Sequence, residues 1–431
     1  MHLFDILAVL LSLAAVFSWI NHRFIRLPTT IGLMLIALLL SLGLLIAPLD
    51  SEWHTLLKQL LEDVDFEDTV LHGMLGFLLF AGALHVNLHD LARHKWVIAT
   101  LASASVVGAT LLIALGGWLL FGLLGLDVPF IYCLLFGALI SPTDPIAVLG
   151  ILKKANAPES LNTKITGESL FNDGVAVVLF LTLLGIATGE HEASLFGALG
   201  MLGYEVIGGA LLGILSGGLV LLMLSRVDDY QVEILLTLAL ATGGYALAEQ
   251  LHLSAPIAIV VAGLMIGNHG RRCFMSDKTR RHLDDFWELV DEILNAVLFV
   301  LIGLEVLVLE LSGGPLLAGA LAIPLVLAAR ALSVGLPIRM MRRRSSDFAP
   351  GTVTLLTWAG LRGGISIALA LSLPDGETRD ILLSVTYVVV VFSILVQGLT
   401  LGPLVRIIGR RADRELAEVT ADADSSALNH H

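Results

Sequence analysis

Ser141-Pro142-Thr143-Asp144-Pro145 and, further along, Gly167-Glu168-Ser169-Leu170-Phe171-Asn172-Asp173-Gly174 set prolines, acids and an amide inside apolar runs. Pro142 and Pro145 donate no backbone hydrogen bond, and each disfavours helix at the residue before it. The chain around Thr143 is therefore expected to unwind and leave carbonyls free. At membrane depth such backbone is tolerated only where protein or water satisfies it. Asp144 would then stand at a junction between two half-helices. In the second run Glu168 and Asn172 are four apart, as are Ser169 and Asp173, so each pair stacks along one helix face. Asp173 falls near the middle of its run, where a carboxylate holds a proton or a cation in turn.

The surrounding composition says what medium these groups occupy. The chain is 56% hydrophobic and only 15% charged, with a mean hydropathy of +0.88. That is the composition of an integral membrane protein and excludes a large water-soluble domain. Two cysteines, Cys133 and Cys273, are too few for a disulfide framework. Residues 3–20 are apolar without a small-residue cleavage site after them, so they read as a first span rather than a signal peptide. Nothing points to a nucleic-acid partner.

Apolar runs against polar breaks predict an all-α polytopic membrane protein with 13 transmembrane helices. The spans are 3–20, 29–47, 70–88, 97–124, 130–150, 164–186, 195–224, 231–249, 254–268, 286–309, 314–339, 350–373 and 380–408. With the N-terminus outside and the C-terminus cytoplasmic, 21 of the 25 Lys and Arg residues fall in inner loops, as the positive-inside rule demands. The acids Glu52, Glu62, Asp63, Asp65, Glu67 and Asp68 fall in one outer loop. Residues 1–411 form one transmembrane unit. The tail 412–431 is polar, acidic and expected to be disordered, and His430 and His431 look like the remnant of a purification tag. No soluble regulatory domain is expected.

Spans 1–6 and 8–13 are expected to form an inverted repeat of six helices. Span 5 is broken by Pro142 and Pro145, and its counterpart, span 12, by Gly360-Leu361-Arg362-Gly363-Gly364. Interrupted segments at corresponding positions point to a transporter binding site. Arg362 is always charged and needs a buried partner. Glu168 is the expected one, with the free carbonyls at the break as the alternative. Arg330 has no obvious acid at its own depth and is assigned to helix C-terminal ends at the crossing. The hydroxyl, carbonyl and carboxylate oxygens of Thr143, Ser169, Asp144 and Asp173 are hard ligands suited to an alkali cation. His85 and His89 read as interfacial residues.

These motifs, with Gly263-Leu264-Met265-Ile266-Gly267-Asn268, Asn295-Ala296-Val297-Leu298-Phe299 and Trp358-Ala359-Gly360-Leu361-Arg362-Gly363-Gly364, run in order along almost the whole chain. Together the sequence resembles the monovalent cation/proton antiporter superfamily, in the branch of NhaP-type bacterial sodium/proton antiporters and animal sodium/proton exchangers. The resemblance implies a homodimer in the bacterial inner membrane, with an ion-carrying core drawn from parts of 70–186 and 286–408 and a dimer domain from the other helices. It implies that Asp173 binds the ion or proton, helped by Asp144, Ser169 and Thr143, while Glu168, Asn172 and Arg362 form a supporting polar network. It implies no cofactor beyond the transported Na+ (or Li+ or K+) and H+. Asn172 stands where the superfamily's other branch has a second aspartate, which implies electroneutral one-for-one exchange. The expected function is antiport rather than an enzyme, and the competing readings are a gated cation channel, a K+/H+ antiporter and an intramembrane aspartyl hydrolase.

Overall fold

Backbone polar groups in hydrocarbon must be satisfied within their own segment, so a chain this apolar folds as helices. The computed structural model describes residues 3–46, 66–154, 159–189, 195–309, 313–342 and 351–408. Every regular element among them is a helix. The polar tail 412–431 and the acidic loop through Glu52, Glu62, Asp63 and Asp65 lie outside the described residues.

In chain order the main helices are α1 (Leu3–Ile20), α2 (Thr29–Ile46), α3 (Leu75–His85), α4 (Lys95–Ala102), α5 (Ala104–Leu123), α6 (Phe130–Leu139), α7 (Ile146–Lys154) and α8 (Glu159–Thr188). They continue as α9 (Leu195–Leu224), α10 (Tyr230–Gln250), α11 (Ala255–Met265), α12 (Asp277–Leu304), α13 (Gly313–Arg342), α14 (Thr352–Trp358), α15 (Gly364–Leu371) and α16 (Glu377–Phe392). Side-chain oxygens start several of them. Asp229 accepts from the Gln231 and Val232 N–H groups at α10, and Ser276 accepts from Thr279 N–H at α12. Among the described residues nine helices are long and apolar enough to cross a membrane. The pairs α6/α7 and α14/α15 are each cut short by an unwound segment, at Ser141–Pro145 and around Gly360–Gly363.

The helices pack as two bundles. One holds α5, α6, α8, α13 and α16 with the half-helices α14 and α15; the other holds α1, α2, α3, α9, α10, α11 and α12. Helix α8 touches both, through α9 and α11. Hydrocarbon supplies no hydrophobic drive between helices, so close packing and polar ties hold them. Ser41 Oγ donates to Gly303 O at 3.0 Å, Ser105 Oγ to Ser333 O at 2.7 Å, and Trp287 Nε1 to Thr237 Oγ1 at 3.0 Å. Ties of this kind are worth about 0.6 kcal/mol each. Large apolar side chains such as Trp19, Leu215 and Leu222 point outward, toward what would be lipid.

Candidate ion site

The two unwound segments meet each other. Asp144 N–H, freed by the break in the first, donates to Leu361 O in the second at 2.8 Å. Arg362 N–H donates to Ser393 Oγ at 2.8 Å. Its guanidinium Nη1 reaches the Ser141 and Pro142 carbonyls at 2.5 and 2.8 Å. The carbonyls that the prolines leave without helical donors are thus answered by a charge from the opposite break. Arg362 is only 2% exposed.

That geometry corrects the expected pairing of Arg362 with Glu168. The buried Glu168 carboxylate instead lies 2.5 Å from Arg330 Nη1, so Arg330 does have an acid partner. Arg330 comes from α13 and lies against the second break: a Cβ at Gly360 would stand 2.9 Å from its Nε. The physical reason for the exchange is that the guanidinium of Arg362 is already committed to two carbonyls. A buried carboxylate without a cation is far costlier than a paired one, and a neighbouring helix supplies that cation.

Asn172, fully buried, grips Thr143 at two points. Its Oδ1 accepts Thr143 N–H at 3.4 Å and its Nδ2 donates to Thr143 Oγ1 at 2.8 Å. Thr143 Oγ1 shares a further hydrogen bond of 3.0 Å with Ser169 Oγ. The oxygens of Thr143 and Ser169 are therefore held together by an amide that itself stays uncharged.

A cavity of about 730 Å³ ends on this cluster. Thr143, Asp144 and Asp173 line it. Ser169 reaches its wall through Thr143, and Glu168, Asn172 and Arg362 are not among its lining residues. The cavity lies between the two bundles, with α3 and α12 facing the breaks and α8. Its carboxylates are Asp90, Asp144, Glu159, Asp173, Glu288 and Asp291, and no Lys or Arg is among its described lining residues. Exposed His85, Asn87, Glu159 and Glu288 stand at the mouth.

Sequence reading missed the acids at 288 and 291, which lie at the polar start of the span placed at 286–309. Their spacing of three puts both on one face of α12, which is the signal that would have found them. His85 is a residue of the cavity mouth, with Nδ1 2.8 Å from Ala81 O.

The profile of the family described as "Sodium/hydrogen exchanger, transmembrane" matches residues 10–407. The chain belongs to the sodium/hydrogen exchanger family. Among curated family members it is 51% identical over 409 residues to the Na(+)/H(+) antiporter NhaP of Pseudomonas aeruginosa, covering 93% of this chain and 96% of that one. It is 35% identical to the Na(+)/H(+) antiporter NhaH of Halobacillus dabanensis, over 90% of this chain and 93% of that one. The fold of this exchanger-family chain is similar to the solved structure of the sodium proton antiporter MjNhaP1 from Methanocaldococcus jannaschii. That likeness has a TM-score of 0.72 at 19% identity and covers 94% of this chain and 99% of the other.

Proposed function

We propose that this chain exchanges Na+, or another small monovalent cation, for H+ across a bacterial inner membrane, one for one and without net movement of charge. The carrying observation is the cavity between the bundles, lined by six carboxylates and by no described Lys or Arg, with Asp173 at its buried end. Such a surface concentrates cations and repels anions. The relatives' names agree with this reading.

Deprotonated Asp173 holds the cation with Asp144, Thr143 and, behind it, Ser169. One bundle moves against the other, the cation leaves to the opposite side, and Asp173 returns carrying a proton. Because cation and proton compete for one carboxylate, neither crosses without the other. Asn172 contributes geometry rather than a second titrating group, which leaves the exchange electrically silent. Glu168–Arg330 and Arg362 keep the unwound segments in register through the motion.

Thirteen crossings follow if the two interrupted pairs, α12, and α11 with its π-helical end Ile266–Gly270 are added to the nine long apolar helices. Helix α11 falls short in length, and α12 carries charge through its first half. The two interrupted pairs, joined at their breaks, support an inverted repeat of spans 1–6 and 8–13. We assign the bundle carrying both breaks to the ion-transporting core and the other to the dimer domain of a homodimer. The cavity mouth is tied to the segment before Arg271 and Arg272, for Asn268 accepts Leu88 N–H at 2.8 Å and donates to Val86 O at 2.9 Å. By the positive-inside rule that side is cytoplasmic, which puts the N-terminus outside and makes this conformation inward-open.

Asp173→Asn, purified and reconstituted into liposomes with an internal pH dye, tests the assignment. Na+-driven proton flux is expected to vanish; flux retained at the wild-type rate would refute it.

A further inference from the structure

Serines and threonines inside helices ordinarily return their hydroxyl to a carbonyl one turn back. This protein follows the rule widely: Thr182 donates to Val178 O at 2.8 Å, Thr166 to Asn162 O at 2.8 Å, and Ser216 to Leu212 O at 2.8 Å. Ser366 departs from it, as do Thr357 and Thr386, but of these three only Ser366 lines the cavity. Its side chain is 1% exposed and its hydroxyl has no hydrogen-bond partner among the described residues. It sits in the first turn of α15, one turn after the unwound Arg362 and the extended Gly363 (φ −124°, ψ −161°).

Ser366 also lines the cavity that holds Thr143, Asp144 and Asp173. Gly363 ties it to the site, because a Cβ there would stand 2.6 Å from Asp144 Oδ2. The Asp144 carboxylate therefore rests against the start of α15 and offsets the partial positive charge of that helix end. Residues three apart share a helix face, so Ser366 stands one turn deeper on the face that meets Asp144, about 4.5 Å further along the axis. A buried hydroxyl without a partner is costly. It is kept at little expense where a ligand supplies the missing contact.

We propose that Ser366 is a ligand of the transported cation, a neutral oxygen contributed by the second unwound region to a site whose other oxygens come from the first region and α8. This rests on the cation-transport reading above. A short neutral oxygen at one side of the site sets how closely the oxygens surround the ion, and so discriminates Na+ and Li+ from larger cations.

The test is Ser366→Ala, with Ser366→Thr as the variant that keeps the oxygen. Two readouts are used on purified protein: cation-driven proton flux in liposomes, and the thermal shift of the detergent-solubilised protein on titration with Na+ or Li+. Ser366→Ala is expected to raise the Na+ KM and the Na+ concentration for half-maximal stabilisation by about fivefold, the weight of one neutral oxygen contact. Its maximal rate should stay within about twofold of wild type, and Ser366→Thr should restore both values. Unchanged KM and stabilisation in Ser366→Ala would overturn the proposal, as would equal weakening in Ser366→Thr or a wild type that no cation stabilises. Cation stabilisation that weakens in Ser366→Ala while wild type shows no proton flux would support the ligand and refute the antiport reading instead.

Discussion

Arg330 Nη1 lies 2.5 Å from the Glu168 carboxylate, and both side chains are almost fully buried. Removing one partner leaves a charge with nowhere to go, whereas removing both removes the problem. Glu168→Gln or Arg330→Met alone is expected to cost about 3–5 kcal/mol of stability, and the double variant much less than the sum. Thermal melts of the four proteins in detergent complete the cycle; additive losses would show that the two side chains do not depend on each other.

Arg362 spans two carbonyls of the opposite break with one guanidinium nitrogen. A lysine keeps the charge but reaches them as a single point on a flexible stem. Arg362→Lys is expected to fold with a loss of about 1–3 kcal/mol, the scale of one unmet buried group. Its exchange rate should fall by about tenfold or more because Thr143 and Asp144 are no longer held in place. Flux assays at equal protein incorporation check this.

Both polar atoms of the Asn172 amide are used on Thr143. An aspartate there accepts from Thr143 N–H but, when ionised, has no proton for Thr143 Oγ1. Asn172→Asp is expected to fold, to weaken cation binding, and to make exchange respond to an imposed membrane potential. A rate indifferent to potential in liposomes clamped with K+ and valinomycin would count against the role assigned to Asn172.

Gly363 is a place where a methyl group is unaffordable. Its Cβ would fall 2.6 Å from Asp144 Oδ2, so Gly363→Ala must push the carboxylate aside. Cation KM should rise by about tenfold or more, the penalty of a misplaced site group, while the melting temperature moves little. A substantial melting-temperature loss with normal KM would locate the strain elsewhere.

Competition at one carboxylate also sets a slope with pH. In the mechanism proposed above the cation binds only deprotonated Asp173, so lowering pH is expected to raise the apparent cation KM and raising pH to lower it. On the acid side of the activity profile KM should climb by about tenfold per pH unit, the mass-action slope of one competing proton. A shallower slope with falling maximal rate would mean that the proton and the cation do not share a site.

Much of this was legible from the chain alone, for reasons that act locally. Hydropathy requires membrane-crossing helices whatever their neighbours are, and Pro142 and Pro145 break a helix wherever it is placed. Four-residue spacing already puts Asn172 above Glu168 and Asp173 above Ser169. Depth in the membrane follows from position in an apolar run, so the buried polar groups could be recognised as costly, and therefore purposeful, without knowing their partners.

Which groups meet across helices is a different quantity. Position in a run says how deep a side chain lies but not which way it faces or which helix stands opposite. Packing alone gave Glu168 to Arg330 rather than Arg362, set Ser169 behind Thr143, and turned Asp291 and Ser366 into the cavity. Those choices depend on the crossing of the two unwound segments, where Asp144 N–H meets Leu361 O, residues 217 positions apart on the chain. No local signal carries a contact of that length; it exists only once the helices have packed.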